Sequence, residues 1–393
     1  MAPQGFKAID YGALPMRRVG IGMLGYGFMG KVHSNAFLKI PYSFSQPAAY
    51  PELVAMCGRD AARVADVAAR LRYRGYYSDW QLMLRDPDIH IVDVCTPDDR
   101  HRAPSIAAAE AGKHVICEKP LAMTVGDAAA MFEAATKAGV QHMCCFNYRF
   151  IPAVRMAKEL LEREAIGQVY HFRGCYLQEP GHDPASLVED VWYTSGTRSG
   201  ILLGIGSHLI DMARFLMGEI TSVSGLLRTW NTTRANRAGA RETVTADEGN
   251  LALVEFASGA AGTLESSGVA TGHKNQHTWE INGSLGSICW DLEDPNHLLV
   301  YSDVAPSPDV RGFAAVSVTT GAHPLQTIYL PPGHNAGWEY GHVHALHHFV
   351  ECVVNEKPVA PYGATFEDGY RVQVIMDALA RSSQTGRRID LTY

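Results

Sequence analysis

The hydrophobic residues of the first 147 positions fall into short runs, and alanine-rich amphipathic stretches separate these runs. Short apolar runs predict buried strands, and the alanine-rich stretches favour helices. This alternation predicts a parallel sheet that helices cover on both faces, with ligands bound at the carboxyl ends of the strands. The predicted strands are 53–57, 89–95, 114–117 and 141–146, and the predicted helices between them are 61–71, 103–111 and 125–138.

The pattern changes after residue 147, where a predicted helix is followed by β-like runs with turn residues between them. Such runs predict a mostly antiparallel sheet. The fold class is therefore α/β: a doubly wound parallel Rossmann sheet over residues 1–147, of which 1–17 are an extension, and an α+β domain over 148–393. The second domain is expected to carry a large open-faced sheet, and its last helices to pack back toward the first domain. The helices are predicted at 152–164, 341–354 and 367–383, and the β-like runs at 169–177, 223–230, 250–256, 261–268, 278–281 and 287–291.

Composition narrows the class of protein. A chain of 393 residues exceeds one ordinary hydrophobic core, which agrees with two domains. The net charge of -7 and the lack of a Lys/Arg run argue against nucleic acid or an anionic membrane as partner, so the expected ligand is a small molecule. The sequence shows neither an apolar stretch long enough to span a bilayer nor a secretory hydrophobic core, and a cytoplasmic location is expected. Eight scattered cysteines predict reduced thiols, and no metal site is expected.

The segment from Arg18 to His33 contains the motif GxGxxG between an apolar run and a helix-like stretch. In that context Gly25 permits the tight turn, Gly27 lets the backbone approach a pyrophosphate, and Gly30 lets helix and strand pack closely. The amide groups and the positive dipole end of the following helix then face the phosphates. The segment predicts a dinucleotide-binding crossover.

The next strand bears on the choice between NAD and NADP. In the NAD fingerprint this strand ends in an Asp or Glu that binds the ribose hydroxyls, but here Gly58 stands at that position and Arg59 follows it. Without the carboxylate a 2′-phosphate is no longer repelled, so NADP is compatible with the sequence as well as NAD. Three roles remain open for Arg59: pairing with a 2′-phosphate, stacking on adenine, or an ordinary solvated arginine.

Polar motifs follow the later strands of the predicted parallel sheet. Thr96-Pro97, Glu118-Lys119-Pro120 and Asn147-Tyr148-Arg149 each come directly after an apolar run, and the segment 206–211 reads Gly-Ser-His-Leu-Ile-Asp. Because parallel strands end at one edge of the sheet, Lys119 is expected beside a nicotinamide, where it can exchange a proton with a substrate hydroxyl.

This set of motifs resembles the Gfo/Idh/MocA oxidoreductases, and the resemblance runs from Val19 to about Leu391. Within that family the chain is most similar to sugar dehydrogenases of the levoglucosan dehydrogenase type. The shared features are the insertion before Pro51, the strand at 172–178 and the turn at 272–275.

The resemblance implies specific roles. Lys119 would contact the hydroxyl being oxidised, and His208 would relay its proton. The cofactor would be NAD or NADP, with NAD favoured by the resemblance. The implied cofactor-binding residues are Gly25, Gly27, Phe28, Met29, Gly30, Arg59, Thr96, Pro97, His101, Glu118, Lys119 and Asn147. The implied substrate-binding residues are Lys119, Tyr148, Arg149, Gln178, His208, Asn275 and His342.

The chain departs from the family pattern at one important position. Many members carry Asp four residues before the histidine, whereas this chain has Gly204 before His208. A carboxylate there would orient the imidazole and raise its basicity, so its loss weakens the acid-base role of His208. Asp211 lies one helical turn from His208, but it would approach the ring from a different direction.

The predicted function is reversible hydride transfer between NAD(P) and a secondary hydroxyl of a pyranose sugar or glycoside, at carbon 3 by resemblance. Two alternatives stay open: a glycosidase or lyase that uses tightly bound NAD for transient sugar oxidation and elimination, and a non-catalytic cofactor-binding sensor. The open sheet face would be apolar and exposed in a monomer, so a homodimer or homotetramer is expected.

Overall fold

In the computed structural model, six of the described strands in the first 150 residues form a wholly parallel sheet. The structure describes residues 17–191, 193, 200–303, 311–323, 325 and 330–393, so residues 1–16 of the predicted extension lie outside it. The strands are β1 (Arg18–Leu24), β2 (Tyr50–Cys57), β3 (Gly75–Tyr77), β4 (Ile91–Val94), β5 (His114–Cys117) and β6 (His142–Cys144). Their order β3-β2-β1-β4-β5-β6 is that of a Rossmann sheet, which confirms the predicted fold class.

The helices of this domain begin where the sequence supplies capping side chains. The Asp60 side chain accepts a hydrogen bond from the Arg63 amide at the start of α2, and Thr124 caps α5 in the same way. The helices α1 and α4 are exceptions: Gly27 at the N-cap of α1 offers no side chain, and His101 at the N-cap of α4 makes no side-chain capping hydrogen bond. The helices are α1 (Phe28–Ser43), α2 (Ala61–Arg70), α3 (Trp80–Met83), α4 (Arg102–Glu110) and α5 (Val125–Ala138).

A short 3-10 turn (Asn147–Phe150) and α6 (Pro152–Glu162) lead to a second, nine-stranded sheet. Its order is β16-β15-β14-β13-β7-β12-β11-β8-β17, where β7 and β12 run parallel and every other neighbouring pair runs antiparallel. The sheet is thus mostly antiparallel, as predicted. The separate strands β9 (Thr233–Ala235) and β10 (Arg241–Thr243) form a hairpin. The sheet strands are β7 (Val169–Leu177), β8 (Ile220–Arg228), β11 (Gly249–Phe256), β12 (Ala261–Ser267), β13 (Gln276–Gly283), β14 (Gly286–Asp291), β15 (His297–Ser302), β16 (Ala314–Ser317) and β17 (Ile389–Asp390).

Burial alternates along these strands, so the two faces of the sheet differ. The inner face, which includes Phe172, Trp279 and Ile281, is buried against helices, among them α7 (Ser207–Met217) and α9 (Phe366–Thr385). The outer face exposes Leu251 and Leu253 by 51 and 63%. The sheet is therefore open on one face, as the pattern predicts.

The last two helices connect the domains. The helix α8 (Tyr340–Val354) packs against α1, and α9 packs against both α5 and β8. The helix α9 begins with a reciprocal capping box between Thr365 and Asp368. This packing places the carboxyl edge of the parallel sheet opposite the inner face of the second sheet. Within the described ranges, no helix has the length and apolar character needed to cross a bilayer.

Candidate active site

A cleft of about 1460 Å³ lies between the carboxyl edge of the parallel sheet and the second domain. It is larger than an ordinary drug-sized pocket, as a dinucleotide and a second ligand together require. Most of the residues singled out from the sequence line it, namely Gly25, Gly27, Phe28, Met29, Arg59, Thr96, Pro97, Glu118, Lys119, Asn147, Tyr148, Gln178, His208, Asn275 and His342.

The glycine turn forms one wall of this cleft. Gly25 has a φ of 114°, which favours glycine. A Cβ on Gly30 would lie 2.1 Å from the carbonyl oxygen of Gly25, so helix and strand meet there without room for a side chain. A Cβ on Gly27, in contrast, would meet no described atom within 4 Å. Neither contact nor backbone strain explains a glycine at 27, and the uncapped amide groups of α1 open onto the cleft beside it. The turn fits a pyrophosphate.

The other end of the turn is shaped by Tyr26. A Cβ on Gly58 would lie 2.1 Å from the Tyr26 ring, so this ring occupies the place of the acidic side chain of the NAD fingerprint. Arg59 is exposed at the same end of the cleft, and none of the described residues pairs with its guanidinium. This end can therefore receive the adenosine part of a dinucleotide with either a free or a phosphorylated 2′ position.

Lys119 extends from the end of β5 toward the second domain. Its Nζ donates a hydrogen bond to the carbonyl oxygen of Gly204 at 2.8 Å. Gly204 lies in the π-helical turn Leu202–Gly206 that precedes α7, and His208 follows in the first turn of α7. A main-chain oxygen therefore holds the lysine at the position where the family resemblance leads us to expect a carboxylate.

His208 is buried among aromatic rings. Its imidazole lies 4.6 Å from the Tyr148 ring and 5.8 Å from the Phe146 ring, measured between centroids. Burial, followed by the positive charge of Lys119, holds the pKa of His208 well below its usual value, so the ring is neutral. Asp211 does not pair with this ring, because both its carboxylate oxygens accept hydrogen bonds from the Arg149 guanidinium.

Hydroxyl and amide groups form the opposite wall. The Tyr148 and Tyr176 hydroxyls are 2.8 Å apart, and the Tyr176 hydroxyl donates to Asn275 Oδ1 at 2.9 Å. Gln178 Nε2 donates to the same Asn275 oxygen at 2.7 Å, and Trp338 Nε1 donates to the Tyr148 hydroxyl at 3.2 Å. The wall thus offers fixed donors and acceptors to a ligand that carries several hydroxyl groups.

The floor of the cleft beside Lys119 contains buried ionisable groups. Burial opposes ionisation of Glu118, but the neighbouring His33 and then Lys119 bring its pKa down to about 2, so the carboxylate is charged. His342 is 1% exposed, and its ring nitrogens have no hydrogen-bond partner in the described part of the chain. An unpartnered imidazole in a cleft is suited to bind a polar ligand.

Three of the predicted site residues lie outside the cleft lining. Gly30 packs under the turn. His101 is buried, and its ring nitrogens lie 2.9 Å from the Pro120 carbonyl oxygen and 3.0 Å from that of Thr96, so it ties together the loops after β4 and β5. Arg149 is buried in an ion pair with Asp211 and does not line the cleft.

The cleft also contains aromatic residues that the sequence analysis did not single out as site residues. Trp338 reaches it from the segment before α8, and its ring lies 6.2 Å from that of Phe28 across the cleft. Nothing in the hydrophobic pattern distinguishes these rings from core aromatics. The other such residues are Tyr26, Trp80 and Tyr176.

The fold and the cleft define the class of protein as a nicotinamide-dependent oxidoreductase, and comparison with known proteins agrees. Residues 19–146 match the model of an oxidoreductase family with an NAD-binding Rossmann fold, and residues 158–391 match the C-terminal α/β domain of the same family. The chain belongs to the Gfo/Idh/MocA oxidoreductase family.

Several named relatives are dehydrogenases. Levoglucosan dehydrogenase of Pseudarthrobacter phenanthrenivorans is 36% identical over 96% of this chain and 99% of its own length. A solved structure of levoglucosan dehydrogenase in complex with NADH and levoglucosan superposes with a TM-score of 0.91, at 37% identity over 96% of this chain and 100% of that one. The scyllo-inositol 2-dehydrogenase (NAD(+)) of Bacillus subtilis is 30% identical over 86% of this chain and 87% of its own length. The D-glucoside 3-dehydrogenase of Escherichia coli is 25% identical over 86 and 90%. The predictions of family and enzyme class are confirmed.

Proposed function

We propose that the protein transfers a hydride between a secondary hydroxyl, at carbon 3, of a pyranose sugar or glycoside and a nicotinamide cofactor. The observation that carries this proposal is the position of Lys119, whose Nζ is held by Gly204 O in the cleft that contains both the glycine turn and the hydroxyl-rich wall. The names of the relatives, which include a levoglucosan dehydrogenase and a D-glucoside 3-dehydrogenase, support a sugar substrate and oxidation at carbon 3.

In this proposal the chain's own residues orient the sugar and handle the proton. A nicotinamide held in the cleft would supply the acceptor for the hydride. Gln178 and Asn275 bind neighbouring hydroxyls of the sugar ring. Lys119 contacts the reacting hydroxyl and takes its proton as it gives one of its own ammonium protons to His208. His208 is neutral and lies close enough to Lys119 for that positive charge to lower its pKa. Because its ring is neutral, it can accept the proton that Lys119 passes on.

We propose NAD as the cofactor, because the relative with 37% identity has been solved with NADH. Arg59 then stacks on the adenine, as in the second of the roles open from the sequence. The residues proposed to hold the cofactor are those of the glycine turn together with Thr96, Pro97, Glu118 and Asn147.

We further propose that two or more copies of the chain associate through the outer face of the nine-stranded sheet. That face carries exposed leucines that a partner sheet would cover, namely Leu226, Leu251, Leu253 and Leu299. A cytoplasmic location fits the eight cysteines, all of which are free thiols.

The test is a panel of pyranoses, glycosides and cyclitols incubated with the purified protein and either NAD or NADP, followed by absorbance of the reduced cofactor. A keto sugar oxidised at carbon 3, identified by NMR, is the expected product. The variant Lys119→Met tests the role of the lysine: it keeps most of the length of the side chain but removes the ammonium. We expect its kcat to fall about a hundred- to ten-thousand-fold, the range typical of an acid-base group, while its Kd for NADH changes little.

The same panel separates the proposal from its alternatives. Release of an aglycone or a new reducing sugar without net NADH would favour elimination chemistry. Tight cofactor binding without turnover of any polyol or glycoside would favour a sensor. Retention of more than about a tenth of the wild-type kcat in Lys119→Met would remove the lysine from its proposed role.

A further inference from the structure

A buried ion-pair chain lies beneath the lysine and plays no part in the proton transfer described above. His33 lies on α1, Asp93 on β4, and Glu118 directly after β5, and none of the three is more than 4% exposed. His33 Nδ1 lies 2.8 Å from Asp93 Oδ2, and His33 Nε2 lies 3.0 Å from Glu118 Oε1. An imidazole that faces a carboxylate at each nitrogen binds both only as an imidazolium.

The charges of this Asp93–His33–Glu118 triad do not cancel. Two carboxylates and one imidazolium leave a net negative charge, and Glu118 is the member that lines the cleft. Lys119 is the charged neighbour of Glu118. Three further ionisable groups packed against the triad are uncharged: burial raises the pKa of the Cys145 thiol to about 11 and lowers the pKa of His342 to about 3, and the Cys95 thiol donates to Asp93.

A bridging metal ion is the other arrangement that these groups permit. Ligand atoms of His33, Glu118, Cys145 and His342 lie within 4.8 Å of one another. His33 Nε2 and Glu118 Oε1 form an ion pair at 3.0 Å, however, so an imidazolium compensates the charge of Glu118 without a metal. The geometry therefore favours a fixed carboxylate.

We propose that His33 and Asp93 hold Glu118 as a fixed anion on the floor of the cleft, and that this anion favours the oxidised over the reduced form of the bound nicotinamide. The inference rests on the proposed function, which puts the nicotinamide at the ends of β4 and β5 and the adenosine at the end of β2. The oxidised ring carries a positive charge that the reduced ring lacks. Glu118 attracts that charge and offsets the ammonium of Lys119, which would repel it. His33 and Asp93 act through Glu118 and are positioning residues.

The experiment measures Kd for NAD+ and for NADH on the full chain, by calorimetry and by NADH fluorescence, in the absence of sugar. Glu118→Gln should weaken NAD+ relative to NADH on the order of tenfold, as expected for a unit charge acting over roughly 10 Å at an effective dielectric of about 20. Glu118→Asp keeps the charge, so its ratio should stay within about twofold of the wild type. Asp127→Asn removes another acid of the same cleft, one that pairs with Arg102 at 3.0 Å, and should leave the ratio unchanged.

A separate variant tests the positioning role of His33. In His33→Asn the imidazolium is gone, so burial drives a proton onto Glu118, and the ratio should move in the same direction as in Glu118→Gln. If thermal melting shows that Glu118→Gln does not fold, His33→Asn serves as the test variant in its place.

Three results would overturn the inference. The first is an equal change of both Kd values in Glu118→Gln, and the second is a shift in Glu118→Asp as large as that in Glu118→Gln, which would indicate shape and not charge. The third is stoichiometric zinc in the wild type that Glu118→Gln lacks. A wild-type protein that binds neither NAD+ nor NADH would refute the proposed function itself and is therefore distinguishable from these three.

Discussion

The glycine turn has two roles, binding the cofactor and packing α1 against β1. One pair of substitutions separates them. A Cβ at Gly27 meets no described atom within 4 Å, and its backbone angles (φ -72°, ψ -159°) are open to any residue. Valine in place of this glycine at the N-cap costs up to about 1 kcal/mol of helix stability. In a chain of this length that lowers Tm by no more than a few degrees. The valine methyls, in contrast, would fill the space proposed for the pyrophosphate. We therefore expect Gly27→Val to raise the Kd for NADH at least about a hundredfold, which is about 2.7 kcal/mol of binding free energy.

The matched control is Gly30→Ala in the same turn. Its Cβ would lie 2.1 Å from the Gly25 carbonyl oxygen, a main-chain atom that cannot move without shifting the strand or the helix. Overpacking of this kind costs about 1–3 kcal/mol, so Tm should fall by several degrees. Fluorescence titration with NADH and thermal melting of both variants check the pair. A Gly27→Val protein with wild-type NADH affinity would show that the turn binds something other than a dinucleotide.

Three further substitutions test other parts of the cleft. Gly204→Asp should raise KM and lower kcat/KM for the sugar, because the new carboxylate competes with the main-chain oxygen for Lys119 and takes up space in the cleft. A higher kcat at unchanged KM in steady-state assays would refute this prediction. Arg59→Ala should weaken NAD and NADP to a similar extent if the side chain stacks on adenine, whereas a loss of roughly 1–3 kcal/mol confined to NADP in binding titrations would indicate a 2′-phosphate partner. Arg149→Met should lower the free energy of unfolding by about 3–5 kcal/mol, because it leaves Asp211 buried without its partner. Denaturant unfolding measures this change. Unchanged stability would mean that the ion pair is not structural and that Arg149 is again a candidate to bind substrate.

Most of the parallel sheet could be predicted because every strand except β3 is an apolar run whose residues are mostly buried, and periodicity records that burial directly. No apolar run marks the short strands β3, β9, β10, β16 and β17, because nearly all of their residues are exposed or half-buried. The parallel pairing of β7 with β12 was equally hidden, since strand direction depends on connections and leaves no mark on alternation.

The site was less predictable where neighbouring residues point in different directions. Asn147, Tyr148 and Arg149 are consecutive, and the sequence predicts ligand contacts for all three. In a 3-10 turn successive side chains diverge, so Tyr148 faces the cleft while Arg149 reaches α7 and α9. His33 is a residue whose role could not be predicted for the opposite reason: its partners are distant in the sequence. It stands within the most informative motif of the chain, but its partners Asp93 and Glu118 come from separate strands, and only the folded sheet brings them to it.

The structure gives the absence of an Asp at position 204 a different interpretation from the one that the sequence suggests. As a sequence feature it suggests a weakened acid-base pair. In the fold, the π-helical turn turns the Gly204 carbonyl toward Lys119, and a main-chain oxygen takes over the task of holding the ammonium. That oxygen carries no titratable proton and cannot be removed by substitution of a side chain. The position of the lysine is therefore independent of pH at this contact, whereas His208 is held by packing against Tyr148 and Phe146 and not by a carboxylate. We infer that loss of ring packing, as in Tyr148→Ala, disturbs proton transfer more than any change at position 204 that preserves the turn.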